Sequence, residues 1–221
     1  MKTRTSVLFS SVIALLFTFS SIARADPERD NSLKDIAITA TLISWFLTYQ
    51  NNKNPITETF QLADNHHRIG FSQGKDQFNR FQQLYYGRDL KNTLIKNQYL
   101  KLKGHWEFGI NTWNSSVKNA EQPQGVILRA IPVYSIEPVS SSNVTPYTEF
   151  GIGINLLSSS TIANTQKSSQ FHFVQYLGAG VRIDQFQIGY RFAHISNAGI
   201  NLPNPATDIH SLNVSYLFFT P

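Results

Sequence analysis

Across residues 66–219 the chain repeats one pattern eight times: about ten residues alternating apolar with polar, then a cluster of Asn, Ser, Gly, Pro or Lys. Period two places alternate side chains on opposite faces of a strand, and the clusters are turn punctuation. The segments lie near 66–74, 78–88, 98–113, 124–137, 146–157, 170–183, 185–197 and 208–219. The third is the clearest. Leu100, Leu102, Trp106, Phe108 and Ile110 share one face, and Lys101, Lys103, His105, Glu107 and Asn111 the other. This predicts an all-β, eight-stranded antiparallel barrel. Pro132 lacks a ladder donor, so a bulge or strand end is expected there.

Two barrels fit. A soluble lipocalin-like carrier has apolar residues inside, whereas a transmembrane β-barrel has an apolar belt outside and a polar interior. The polar faces mix Gln, Gly, Arg, Glu and Lys, which suits a hydrogen-bonded lumen. Tyr85, Tyr86, Tyr99, Trp113, Tyr147, Tyr190, Tyr216 and Phe219 fall near strand ends, as interfacial girdle residues would. The last strand closes on "SYLFF". These features favour the membrane barrel. Eight strands fill their interior with side chains, so a pore is not expected.

The first residues read as an export signal. Lys2 and Arg4 precede the apolar stretch "VLFSSVIALLFTFSSIA", and Ala23-Arg24-Ala25 has the small-x-small form of a cleavage site. The expected organisation is a signal peptide at 1–25, an extension at 26–65 and a barrel at 66–219. Within the extension, 36–49 reads as a short packed helix, and the whole as an amphipathic helix, plug or loose lead. The formal charge of +5 is inflated by Lys2, Arg4 and Arg24. Without them 16 basic residues face 14 acidic ones, no argument for nucleic acid. With no cysteine there is neither a disulfide framework nor a thiolate metal site, and no metal or cofactor is expected.

Phe186, Ile188, Tyr190 and Phe192 form an apolar strand face that continues into His194 and Ser196. In the next segment Asp208, His210, Leu212, Val214, Tyr216 and Phe218 share one parity. Pairing His194 with Asp208 also pairs Phe192 with His210, Tyr190 with Leu212 and Ile188 with Val214, so one register satisfies both strands. With the amino terminus periplasmic, this puts His194 and Ser196 on the lipid side of the extracellular rim. Base, hydroxyl and carboxylate are the minimum set for an activated serine. Asn197 and Gly199 add donors that could hold an oxyanion. His66, His67, His105 and His172 read as structural. His210 falls close enough to meet Asp208 or substrate.

"GYRFAHISNAGINLPNPATD" resembles the signature of the lipid A 3-O-deacylases of the PagL type, and weaker similarity runs through "PYTEFGIGINLLS" and "FHFVQYLGAGVRI". The resemblance implies an outer-membrane barrel that hydrolyses the 3-position acyl ester of lipid A, with lipopolysaccharide in the outer leaflet as partner. Carried across, it makes Ser196 the nucleophile, His194 the base, Asn197 and Gly199 oxyanion donors and Asn204 a supporting loop residue. The family's acid is a glutamate where this chain has Asp208. The 26–65 extension has no counterpart in the resemblance. The rival expectation is a non-catalytic barrel serving as anchor or adhesin. The sequence leaves open whether the chain works alone or as a homodimer.

Overall fold

The computed structural model describes residues 32–140 and 142–221. The signal expected at 1–25 lies outside the described residues. Eight long strands follow two helices: β1 (Leu62–Lys75), β2 (Asn79–Leu90), β3 (Leu100–Ser115), β4 (Gln124–Pro138), β5 (Val144–Leu157), β6 (Phe171–Ile183), β7 (Phe186–Ser196) and β8 (Thr207–Phe219). Each pairs antiparallel with its neighbour in sequence, and β8 returns to β1 through His66↔Phe219 to Lys75↔His210, closing the barrel. Closure leaves no unpaired sheet edge, which hydrocarbon would not tolerate.

Local chemistry sets the turns. Asp76 Oδ1 accepts from the Phe78 and Asn79 amides at 2.7 and 2.6 Å, making the β1–β2 turn. Asp184 adopts φ 52° in the two-residue β6–β7 turn. The connections 116–123, 158–170 and 197–206 lie at the opposite end, while at the Asp184 end the longest connection is 91–99, which carries the short strand Ile95–Lys96. Pro132 is neither a bulge nor a strand end. The β3–β4 register runs straight through Trp106↔Pro132. The β4–β5 register is the same at Ala130↔Ile154 and Val133↔Gly151, so the missing N–H interrupts the ladder without shifting it.

The polarity is inverted relative to a soluble barrel. Ile69, Phe71, Leu84, Phe108, Ile110, Leu128, Ile154, Leu156, Ile188, Leu212 and Val214 are exposed around the outside. Inside, charge and amides predominate. Arg191 donates to Glu107 at 2.7 and 2.9 Å and is paired with Glu149 across the lumen. His105 bonds Glu107 at 2.8 Å, and Arg68 bonds Asp89 at 2.6 Å. Arg129 reaches Asn155 at 2.8 Å and also bonds Tyr176. Towards the long-loop end the lumen becomes apolar, with Phe81, Trp113, Ile131, Val174, Ile195 and Ile209 packed together. Tyr85, Trp113 and Tyr147, read from sequence as girdle residues, are instead buried inside. They have the inward parity of their strands.

Among the described residues the extension forms a pair of helices, α1 (Ser32–Gln50) and α2 (Pro55–Phe60). Asn54 caps α2 through Oδ1 to the Ile56 and Thr57 amides, with Pro55 in the first turn. The pair is no plug: it packs on the outer wall. α1 lies against β5, β6 and β7. Ala40 and Trp45 join a second apolar cluster of outward-facing residues, Leu90, Leu102, Tyr134 and Phe150, with Trp106 and Leu177 at its margin. Trp45 donates to the Tyr134 hydroxyl at 2.8 Å, and Trp106 donates to the Thr59 carbonyl at 2.7 Å. β1 begins at Leu62, earlier than its alternation suggested, with a register shift against β2 before His67.

Removing Arg191 would leave Glu107 and Glu149 buried and facing each other. Arg191→Ala is expected to cost about 3–5 kcal/mol, measured as a lower urea midpoint for the folded barrel. Arg191→Met combined with Glu107→Gln and Glu149→Gln should recover much of that loss. An unchanged midpoint in Arg191→Ala would show that the pair does not hold the barrel.

Candidate active site

β7 carries the site, and Arg191 decides which way it faces. With Arg191 pointing inward, parity turns Phe192, His194 and Ser196 outward. The strand pairing is the one that satisfied both sequence patterns: His194↔Asp208, Phe192↔His210, Tyr190↔Leu212 and Ile188↔Val214. His194 Nδ1–H donates to Asp208 Oδ1 at 2.6 Å. That bond orients the ring and leaves Nε2 as the nitrogen open to a proton from elsewhere. Ser196 lies two residues along the same face, about 6.5–7 Å on by strand geometry. No hydrogen bond joins it to His194 among the described residues. Such contacts are commonly loose without substrate.

The surroundings differ from an open lipid-facing rim. Lower on β7, Phe186, Ile188 and Tyr190 are exposed, but Phe192 is 1%, His194 3% and Ser196 9% exposed. The imidazole is buried while the Asp208 side chain keeps 29% exposure. On the other flank Gln175 of β6 pairs in register with His194. It is buried, and its Oε1 has no hydrogen-bond partner. His210 does not meet Asp208. It bonds the Tyr190 hydroxyl, and its ring packs on Phe192 at 5.3 Å.

The loop after Ser196 turns back sharply. Ala198 and Gly199 both have positive φ, 56° and 78°, a conformation that glycine adopts freely and alanine does not. Asn204 Oδ1 accepts from the Asn197 amide at 2.8 Å, and Asn197 Oδ1 accepts from the Gly199 amide at 2.9 Å. The Asn197 side-chain amide donates to the Asn201 carbonyl at 2.8 Å and to Ser168 Oγ at 3.2 Å. The donors expected from sequence are therefore engaged within the loop. Two backbone N–H groups beside Ser196 each rest on a side-chain carbonyl oxygen.

Sequence reasoning missed Lys167. Its ammonium is fully buried and donates to the Pro205 carbonyl at 2.6 Å and to Thr207 Oγ1. It ties the β5–β6 loop to the residues just before Asp208. Lysines in polar loops are common, so no local signal marked it. Burial pushes its pKa down to about 8, with Asp76 and Asp208 opposing. The remaining histidines have structural partners. His67 is joined to Tyr86 and Thr220, His66 packs edge-on to Phe219, His105 bonds Glu107, and His172 bonds the Ser169 carbonyl.

A model of the lipid A 3-O-deacylase (PagL) family matches residues 81–217. The protein named lipid A deacylase PagL of Pseudomonas aeruginosa is 29% identical over 113 residues, 51% of this chain and 63% of that one. Its namesake in Bordetella bronchiseptica is 41% identical over 73 residues, 33% of this chain and 41% of that one. The matches thus span less than two thirds of either curated relative. A structure described as the crystal structure of the outer membrane enzyme PagL aligns with a TM-score of 0.61 at 24% identity. It covers 67% of this chain and 98% of that one, and shows a shared fold.

The depressed Lys167 pKa has a signed consequence. Between about pH 8 and 10.5 the unfolded chain still holds a proton that the native state has released. Stability from this site therefore rises with pH across that window. The urea midpoint should climb more steeply from pH 8 to 10 in the native sequence than in Lys167→Met. Parallel slopes would count against a strained buried ammonium.

Proposed function

The chain belongs to the lipid A 3-O-deacylase (PagL) family, and on that premise we propose that it is an outer-membrane serine esterase that hydrolyses the 3-position acyl ester of lipid A. The observation that carries this reading is the 2.6 Å His194–Asp208 bond on the outer face of β7–β8, with Ser196 two residues away on the same face. A barrel acting only as an anchor or adhesin has no use for that arrangement.

In this mechanism Ser196 Oγ attacks the ester carbonyl while His194 Nε2 takes its proton. Asp208 holds the tautomer and stabilises the imidazolium. The oxyanion of the tetrahedral intermediate is met by the amides of Asn197 and Gly199, which exchange their carbonyl partners on Asn204 and Asn197 for it. Collapse breaks the bond to the sugar oxygen, and His194 protonates that oxygen as it leaves. A water molecule then attacks the acyl-Ser196 ester, gives its proton to His194, and the fatty acid departs as Ser196 is restored. No cofactor takes part. The site works at the extracellular rim, where acyl esters of outer-leaflet lipopolysaccharide lie beside the barrel wall, so the lipid need not be extracted.

Asp208 is one methylene shorter than the family's glutamate. Its position directly across from His194, where paired Cβ atoms are about 4.5–5.5 Å apart, supplies the missing reach. Mass spectrometry of lipid A from cells with and without the protein tests the reaction: loss of the 3-linked acyl chain is expected, and unchanged lipid A refutes it. Ser196→Ala should fold normally and leave lipid A intact, and His194→Asn should behave likewise. Asp208→Asn should lower the rate by roughly 10³–10⁴-fold, because an amide can hold the wrong imidazole tautomer. Asp208→Glu should stay active. Normal deacylation by both Asp208→Asn and Asp208→Ala would remove Asp208 from the triad.

A further inference from the structure

α1 has its polarity the wrong way round for a helix in water. The stripe against the barrel is small or hydroxylated: Ala37, Thr41, Ser44 and Thr48. Thr41 and Thr48 satisfy their hydroxyls on the carbonyls one turn back, at 2.8 and 2.7 Å. The opposite face carries Leu42, Phe46 and Tyr49, exposed at 58, 56 and 68%. Small residues inward and large apolar ones outward is the packing of helices in lipid. At 19 residues α1 is about 28 Å long, close to the roughly 25 Å apolar band of an outer-membrane barrel. No helix among the described residues is long and apolar enough to cross a membrane on its own. α1 has the barrel's apolar wall beside it.

Its position relative to the site follows from register. On the outer wall Tyr134 pairs with Phe150, Phe150 with Leu177, Leu177 with Phe192 and Phe192 with His210. Ala40 and Trp45 pack against the β4–β6 part of this row. One outward step nearer the rim the row reads Ile152, Gln175, His194, Asp208. The site thus sits directly above the apolar row that α1 partly covers. On the far side, Tyr190, Ile188, Leu212 and Val214 stay exposed below His194. Between α1 and this open face the outer wall below the site is apolar down to the belt.

We propose that α1 is embedded in the bilayer beside the barrel and forms one wall of the slot in which the substrate's acyl chain lies while its ester is at Ser196. The occupant is an acyl chain, because the wall below the site is apolar and continuous with the lipid-facing belt. The flank of α1 opposite Trp45 carries Ile36, Ile43 and Leu47 in line, and these half-buried side chains border the slot. α1 lies ahead of residues 81–217, the stretch that the family model matches. The second half of the inference rests on the esterase reading; the first does not.

The chain has no cysteine, so single-cysteine variants each report one site. In intact cells Leu42→Cys and Phe46→Cys should resist a water-soluble maleimide and react only after detergent extraction. Leu202→Cys, on the exposed rim loop, should react at once. Rapid labelling at 42 and 46 would put α1 in water and overturn the proposal. Full-length protein should then be given lipid A with mixed short and long 3-linked chains. Ile43→Trp should favour the short chain, and Ile43→Ala the long one, each shifting the release ratio by about tenfold. Active variants with the native ratio would remove α1 from the slot. If the native protein releases no acyl chain, the esterase reading fails, while the labelling still decides where α1 lies.

Discussion

Arg191 is the side chain on which the orientation of the site depends. It is buried at the centre of the lumen between carboxylates from β3 and β5, and its guanidinium donates hydrogen bonds on both sides. A charge buried this deeply must stay paired. Turning β7 over, or slipping it by one residue, would strand Arg191 outside and both glutamates inside. The same slip would carry His194 and Ser196 into the lumen, because the side-chain period is two. The ion pair that packs the interior therefore also presents the candidate triad to the outside.

Two apolar clusters lie on opposite sides of one wall. The inner one fills the lumen near the long loops, and the outer one glues α1 and α2 to β2 through β6. Both draw on the alternation of the same strands, inward parity for one and outward parity for the other. This is why the extension does not plug the barrel: the lumen is already occupied by charged networks and aromatic rings. An apolar helix has its complement on the outer wall instead. The helix then borders the face that carries His194, from a segment ahead of the residues that the family model matches.

At the rim, two loops lock one another. Lys167 from the β5–β6 loop holds Pro205 and Thr207, and Ser168 receives the Asn197 side chain. Asp208 follows at once on Thr207, so its position is set jointly by strand register below and the lysine above. The amide of Asn197, a residue only 1% exposed, is kept bonded by the Asn204 side-chain carbonyl rather than left bare, where an unpaired N–H would be costly.

Much of this was legible in the sequence. Period-two alternation specifies faces, and pairing His194 with Asp208 was consistent with the apolar faces of both strands, while the strand pairing itself fixes that register. What covers a face was not legible. Alternation marks Phe192, His194 and Ser196 as outward, yet cannot say that they are buried. The girdle reading of Tyr85, Trp113 and Tyr147 failed because position near a strand end was weighed above parity. The seat of α1 on the wall, the bond of Lys167 to Thr207 and the meeting of Arg191 with Glu107 join residues 40 to more than 80 positions apart. Sequence by itself determined which way each strand residue points, because backbone geometry is local. Only the closed tertiary structure decided what each residue meets there, because contacts across a barrel depend on every strand between them.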